Sequence, residues 1–463
     1  MILDDLLGKY RSYEADSNAE LVKRAYAFAE TAHMGERRFG CFPFIEHPLA
    51  VAMLLVEIQA EGELLAAALL HDVLEHTNLA KEDLIADFGP EIADLVDGVS
   101  VVQRVSQKAG GKGTGENLTK LLLAMVHDPR VLMVRMAEEV DNLRNLDAFP
   151  EKERETTLDK AFEVYAPLAR LLRVGTFGTK LEDLAFEQRD PEKFSEISRK
   201  IAALTQGRQG EISNLIKRLE ARLAREGIEA EITTRTKHAY GVYRKLPRYA
   251  ELGGGVWHDV LGLRVIADDP ERCYSALSIV HELGKPDPRF FDDYIAHPKP
   301  NGYQSLHTVI WFNSVPMEIQ IRTREMHARA EFGLAAHAFY KEAGGPSVTS
   351  DEKVKLLQSL IGWEKERGLN LFADKVFVLT PKADVVDLPN GASPVDFAFA
   401  VHTGLGGSCA GAKVNGEMVP LNYRLQNGDR VEILTARGRK PSVDWLKFVK
   451  TGLARSQIKK ALR

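Results

Sequence analysis

A chain of 463 residues with 44% apolar and 27% charged side chains and a net charge of −5 exceeds one compact core and reads as about two to four soluble domains. The near-neutral balance excludes a bulk electrostatic grip on nucleic acid, so any such contact must be local. Cys41, Cys273 and Cys409 are too scattered for a disulfide framework or a zinc set, and no signal peptide or membrane-spanning run is visible, so a cytoplasmic protein with no membrane partner is expected.

Residues 1–190 read as helical. Amphipathic runs recur near 19–34, 46–58, 62–76, 81–97, 116–127, 130–146 and 151–172, broken at Gly35, Gly40, Pro43, Gly89-Pro90, Asp128-Pro129 and Pro150. The segment Lys108–Gly115 is a flexible Gly-rich loop without the strand and Lys-Ser/Thr ending of a P-loop. His47 precedes Pro48 at a helix start, and His71-Asp72 falls in the apolar helix LLAAALLHDVLEHT. A lone histidine on an apolar face is usually a satisfied core residue. His47, His71, Asp72 and Glu138 together form a mixed imidazole and carboxylate set that suits Mn²⁺ or Fe²⁺. Glu75 lies one turn beyond His71 and Asp72, and Glu138, Asp141 and Asn142 share one face of a later helix at i, i+3 and i+4.

A helical connector runs to about residue 227, and the pattern then turns to mixed α/β. Strands are expected at 228–234, 259–267, 306–312 and 316–322, with helices at 236–250, 271–283 and 325–341. In TRTKHAYGVYRKLPR, Lys237, Gly241, Arg244/Lys245 and Arg248 fall at helical spacing after Arg235, a cationic rail at a helix N-terminus that favours phosphate. The bland reading is a solvated basic helix. Asp259 opens the buried strand DVLGLRVI. Alternation in the last strand sets Met317, Ile319 and Ile321 on one face and Glu318, Gln320 and Arg322 on the other. The preceding loop gathers Lys299, Asn301, Tyr303, Gln304 and His307, which with that polar file resembles a wall of a nucleotide site rather than a solvated edge. Asp259 and Glu318 form the expected Mg²⁺ pair. Gly344-Gly345-Pro346 begins a polar linker and helix, short strands and turns from Asp374 to about 436 make a small β-rich module, and the tail from 441 starts another helix.

On these motifs the whole chain resembles a long RelA/SpoT-homologue protein, the (p)ppGpp synthetase/hydrolase family. The implied fold is multidomain: an all-α HD domain at 1–190, an α/β nucleotidyltransferase-like synthetase domain with its connector at 191–345, a linker helix at 346–373, a small β-grasp TGS domain at 374–436, and the start of a C-terminal helical region at 437–463. The resemblance carries the HD metal ligands onto His47, His71 and Asp72, with Glu138 where the family has Asp. In the LADRLHN-like motif Glu139 replaces Arg and Asp141 replaces His, while Asn142 is kept. The Glu-Asp after the HD pair reads Glu75-His76, and Arg38 survives from the guanine-contacting loop.

Arg235, Lys237, His238, Tyr240, Arg244 and Lys245 match the family's RPKHIYSIYRK-type segment, with Gly241 where Ser is usual. Asp259 and Arg264 match its DLIAIRV strand. Lys299, Asn301, Tyr303 and His307 match its PKxNGYQSLHT loop, and Glu318, Gln320 and Arg322 its EIQIRT strand. The implied activity is pyrophosphate transfer from ATP to the 3′-hydroxyl of GTP or GDP, with Mg²⁺ on Asp259 and Glu318. Phe290-Phe-Asp292-Asp293 lies nearer the acidic motif of synthetase-only members, and with the altered HD residues it points to a weakened or lost Mn²⁺-dependent hydrolase. The TGS resemblance places a tRNA contact on His402, with a helix-terminal structural role as the plain alternative. Two other readings stand beside this one: a bifunctional synthetase/hydrolase, and a catalytically silent regulator that binds uncharged tRNA or the ribosome.

Overall fold

The computed structural model describes residues 3–14, 16–38, 42–108, 128–251, 257, 259–299, 301–333, 360, 362, 375–382, 384–436 and 438–462. Cys41, the loop at 109–115, the expected helix at 116–127, the helix end at 334–341 and the linker at 346–373 lie outside the described residues, apart from 360 and 362.

In chain order the elements begin with helices α1 (Leu3–Tyr10) and α2 (Asp16–Ala32) and a short ribbon of β1 (Arg37–Arg38) and β2 (Phe42–Pro43). Helices α3 (Glu46–Val56), α4 (Gly62–Leu70), α5 (Val73–His76), α6 (Lys81–Lys108), α7 (Arg130–Arg144) and α8 (Glu151–Lys160) follow. After a π-helical turn at Ala161–Tyr165 come α9 (Ala166–Leu171), α10 (Gly175–Arg189), α11 (Pro191–Gly207) and α12 (Gln209–Arg225). The mixed region holds β3 (Ala230–Thr236), α13 (Ala239–Tyr243), α14 (Leu246–Glu251), β4 (Leu261–Ala267), α15 (Pro270–Leu283), β5 (Lys285–Pro286), β6 (Asp292–Asp293), β7 (Leu306–Phe312), β8 (Val315–Thr323) and α16 (Arg324–Phe332). The C-terminal part holds β9 (Lys375–Leu379), β10 (Val385–Pro389), α17 (Pro394–Val401), α18 (Thr403–Gly407), β11 (Cys409–Val414), β12 (Glu417–Val419), β13 (Val431–Thr435) and α19 (Gly452–Ala461). No helix among the described residues is long and apolar enough to cross a membrane.

By compactness the chain divides into one unit of residues 1–70 with 133–341 and another of 71–132 with 342–463. In the first, α3 and α4 are apolar on nearly every side and are interior helices. Its sheet runs in the order β3-β4-β8-β7-β5, with β6 paired to β7. Strands β4 and β8 are parallel and the other pairs antiparallel. Asn313 and Ser314, at φ 48° and 65°, make the tight turn that joins β7 to β8 with a twist matching the strands. Asp269 caps α15 by accepting from the Arg272 amide at 2.8 Å, and Thr323 caps α16 through the Met326 amide at 3.1 Å.

Two sequence expectations need correction. His71 and Asp72 do not sit inside one helix; they form the turn between α4 and α5. The helix expected at 236–250 is two short ones, α13 and α14. Pro247 tolerates a first turn but not a helix interior, and it restricts Leu246 before it. Arg235 therefore belongs to β3 and Lys237 to the following loop, so the cations come from strand, loop and helices rather than one helix face.

In the second unit, β9 and β10 form a hairpin, and β11 pairs with both β12 and β13. Helix α17 buries Val395, Phe397, Ala398 and Phe399. Ser393 and Asp396 make a capping box at its start. The fully buried Asp396 carboxylate also accepts from the Lys450 and Thr451 amides at 2.9 and 2.8 Å, which ties the tail to the module.

Candidate functional site

Strand alternation sorts the central sheet into two faces. Leu261, Leu263 and Val265 of β4 and Met317, Ile319 and Ile321 of β8 pack with α12 and α15 in one apolar core. Arg235, Arg264, His307, Glu318, Gln320 and Arg322 alternate with these core positions and share the other face. Register sets them in rows: Arg235, Gly262 and Glu318 are cross-strand partners, and so are Arg264, Gln320 and His307. Because β8 is central, its polar file is not solvated, and Arg322 is only 2% exposed.

Gly262 leaves no side chain between Arg235 and Glu318, and the Arg235 guanidinium donates to Glu318 Oε2 at 2.6 Å. Gln320 donates to the same oxygen at 3.4 Å. Asp259 lies two residues before β4 and accepts from Lys237 Nζ at 2.7 Å, from Lys245 Nζ and from the Tyr249 hydroxyl. Burial alone would raise Asp259, but Lys237, Lys245 and Tyr249 outweigh it and hold the carboxyl well below its usual range. The Glu318 charge acts on both Lys245 and Tyr249, so the two carboxylates share one cationic neighbourhood.

Beside them the Tyr303 hydroxyl and His307 Nε2 share a hydrogen bond of 2.8 Å. Burial, then the charges of Arg235, Lys299, Arg322 and Lys245, push His307 down to about 3. His307 Nδ1 lies 3.7 Å from Glu318 Oε1. Asn301 Oδ1 accepts from the Tyr303 amide at 3.1 Å across Gly302, whose φ is +75°. Lys299 Nζ stands 4.3 and 5.5 Å from the ring centroids of Tyr294 and Tyr303. Asp292 pairs in register with His307.

Arg264 and Arg322 both reach Glu331 Oε1, at 2.8 and 2.9 Å. Two guanidiniums on one carboxylate leave excess positive charge, and the Nε atoms of both are buried without a hydrogen-bond partner. That arrangement favours an anion. A separate cavity of about 570 Å³ lies against α11 and α12, lined by Ile212, Ile216, Thr234, Thr236 and Leu261 as well as Arg235, and it does not include Glu318 or Arg264. His238 and Arg244 do not join this cluster. Their nitrogens face Glu182, at 2.9 and 3.6 Å. Sequence reasoning missed Gly262, Tyr249 and Glu331. Only the first had a signal, a glycine inside a strand pattern, which often marks close approach of another backbone.

In the helical region His47 and Glu138 of the first unit are buried, and so are His71 and Asp72 of the second. His47 Nδ1 lies 2.6 Å from Asp141 Oδ2, a carboxylate–histidine contact of the kind that orients metal-binding imidazoles. Asp72 Oδ2 lies 3.3 Å from His71 Nε2. Arg38 donates to Asp141 at 3.0 Å and to Asn142 at 2.6 Å. Arg135 pairs with Glu138. Burial raises the neighbouring Glu139 to about 7. Glu75 is half-buried in α5. His402 is exposed and accepts from the Gly404 amide at 3.1 Å, capping α18.

The sequence matches three known families: the HD domain over residues 25–176, the region found in RelA / SpoT proteins over 234–345, and the TGS domain over 376–435. It is 40% identical to a GTP pyrophosphokinase of Myxococcus xanthus, over 96% of this chain and 61% of that protein. It is 38% identical to the bifunctional (p)ppGpp synthase/hydrolase SpoT of Escherichia coli K12, over 98% of this chain and 66% of that one. A guanosine-3′,5′-bis(diphosphate) 3′-pyrophosphohydrolase of Vibrio cholerae is 37% identical over all of this chain and 67% of its own length. The chain thus spans about two thirds or less of the length of these curated relatives.

Proposed function

This chain belongs to the long RelA/SpoT family, and on that premise we propose that it is a GTP pyrophosphokinase, transferring pyrophosphate from ATP to the 3′-hydroxyl of GTP or GDP in the cytoplasm. The observation that carries the reading is the pair Asp259 and Glu318, each gripped by cations, Asp259 in the turn before β4 and Glu318 on the sheet face that also holds His307 and its partner Tyr303. The acceptor 3′-oxygen attacks the β-phosphorus of ATP, the bond from that phosphorus to the α-β bridging oxygen breaks, and AMP leaves. Glu318 takes the 3′-hydroxyl proton. Tyr303 stacks on the guanine, with Lys299 and Asn301 fixing its loop. Arg235, Lys237, Lys245, Arg264 and Arg322 neutralise phosphate charge, with Gln320 supporting Glu318 and Arg244 and His238 bracing the cationic segment. Mg²⁺, when held by the hard oxygens of Asp259 and Glu318, supplies further charge for the transferring phosphates. Incubation of the chain with ATP and GTP should yield AMP and pppGpp in equal amounts. Their absence, with uncharged tRNA and ribosomes present, overturns the reading in favour of a silent regulator.

The HD region is proposed as a weakened 3′-pyrophosphohydrolase. Glu138 is one methylene longer than the family's Asp and is paired with Arg135, and His76 replaces a carboxylate next to Glu75. The bifunctional reading has its own support, because His47, His71 and Glu138 are all buried and are imidazole and carboxylate donors of the kind that suits Mn²⁺. Release of pyrophosphate from ppGpp with Mn²⁺ and no ATP selects that reading. A TGS contact to tRNA or the ribosome through His402 belongs to the proposal as well.

A further inference from the structure

Three side chains on the run from 170 to 189 touch the proposed synthetase site without reaching its carboxylates. Arg173, at φ 62°, donates to the Gly302 carbonyl at 3.1 Å, the turn that precedes Tyr303. Glu182 is 5% exposed and places Oε2 2.9 Å from His238 Nε2, while Oε1 pairs with Arg170. Asp183 accepts from the amides of Ala239 and Tyr240 at 3.2 and 2.8 Å, closing the start of α13 where the His238 side chain makes no cap. Lys237 and Lys245, which hold Asp259, flank these anchored residues on either side. Phe186 of α10 lies in one apolar cluster with Val242, Tyr249 and Val260, so the same helix also backs the phenol that donates to Asp259.

We infer that this run is a two-handed brace: Glu182 and Asp183 are positioning residues for the donor-side cations, and Arg173 is a positioning residue for the acceptor loop. The inference rests on the synthetase reading above and deepens it. The two hands grip different substrate walls, so each leaves its own kinetic signature. A scaffold that only stabilised the fold would weaken both together.

The test uses the full chain with Glu182→Gln, Asp183→Ala and Arg173→Ala. Asp183→Ala and Glu182→Gln should lower kcat at least tenfold while leaving KM for GTP within twofold. Arg173→Ala should raise KM for GTP severalfold with kcat nearly kept. Amide exchange across 237–245 should accelerate in the first two and not in the third. Unchanged kinetics, or kcat and both KM values shifting together with a fall in Tm, overturns the brace. If the unaltered chain makes no pppGpp, the synthetase reading has failed, and exchange across 237–245 alone decides: acceleration keeps the structural grip, and none removes it.

Discussion

Gly262→Ala is the sharpest perturbation of the site. A Cβ at this position would lie closer than 3.0 Å to the Glu318 carbonyl oxygen and 3.3 Å from Glu318 Cβ. Ordinary contact needs about 3.5 Å or more, so β4 and β8 must part by roughly 1 Å. The added methyl also sits in the gap that the Arg235 guanidinium crosses to reach Glu318. Overpacking of this kind costs about 1–3 kcal/mol of stability, which a chain of this size tolerates. A reacting group misplaced by about 1 Å loses about 10²-fold in rate. Initial rates of AMP release at saturating ATP and GTP should therefore fall about a hundredfold, with the unfolding transition only a few degrees lower. Ile319→Val, on the core face of β8, costs about 0.5–1.5 kcal/mol and should keep its rate. A Gly262→Ala chain within threefold of the unaltered rate would refute the claim that Glu318 acts from this row.

Tyr303→Ala removes a stacking surface worth about 1–3 kcal/mol, so KM for GTP should rise about tenfold or more, while Tyr303→Phe should change it little; an unchanged KM in the Ala variant counts against guanine stacking. His307, held near 3 against about 6.5 when unfolded, binds fewer protons in the folded state, so its stabilisation is complete above pH 6.5 and is lost as pH falls from 6.5 toward 3. Denaturant unfolding of His307→Gln should show a shallower acid loss than the unaltered chain, by a few kcal/mol at most; parallel pH curves contradict this. Asp141→Asn should weaken Mn²⁺ binding about 10- to 100-fold by calorimetric titration, since it orients His47, and equal affinity rules that role out. Asp396→Ala leaves buried amide and hydroxyl donors without their acceptor and should cost the C-terminal module about 1–3 kcal/mol, read as faster amide exchange at 393–402 and 449–452; unchanged protection is the contrary result.

The alternation of β8 was legible because both its neighbours are strands and one face is core, so period two survives intact. The hairpin module was legible for a related reason: strands β9 and β10 and helix α17 each carry their own local signals. Charge spacing misled at 235–248. A helical wheel places Lys237 and Lys245 together, yet Pro247 ends the run early, and the two lysines meet through Asp259 instead. Long-range register was out of reach. Nothing local says that Gly262 separates Arg235 from Glu318, or that Glu331 gathers Arg264 and Arg322. The Asp141–His47 contact was likewise hidden, since 94 residues separate the partners.

The most direct measurement is a transfer assay with ATP and GTP on the unaltered chain and on Glu318→Gln, each checked for an unchanged unfolding transition. The account predicts pppGpp and AMP from the first and a loss of about 10³-fold in the second, since the amide keeps the shape but cannot take the proton. A Glu318→Gln chain that transfers at the unaltered rate, or an unaltered chain that makes no pppGpp at all, contradicts it.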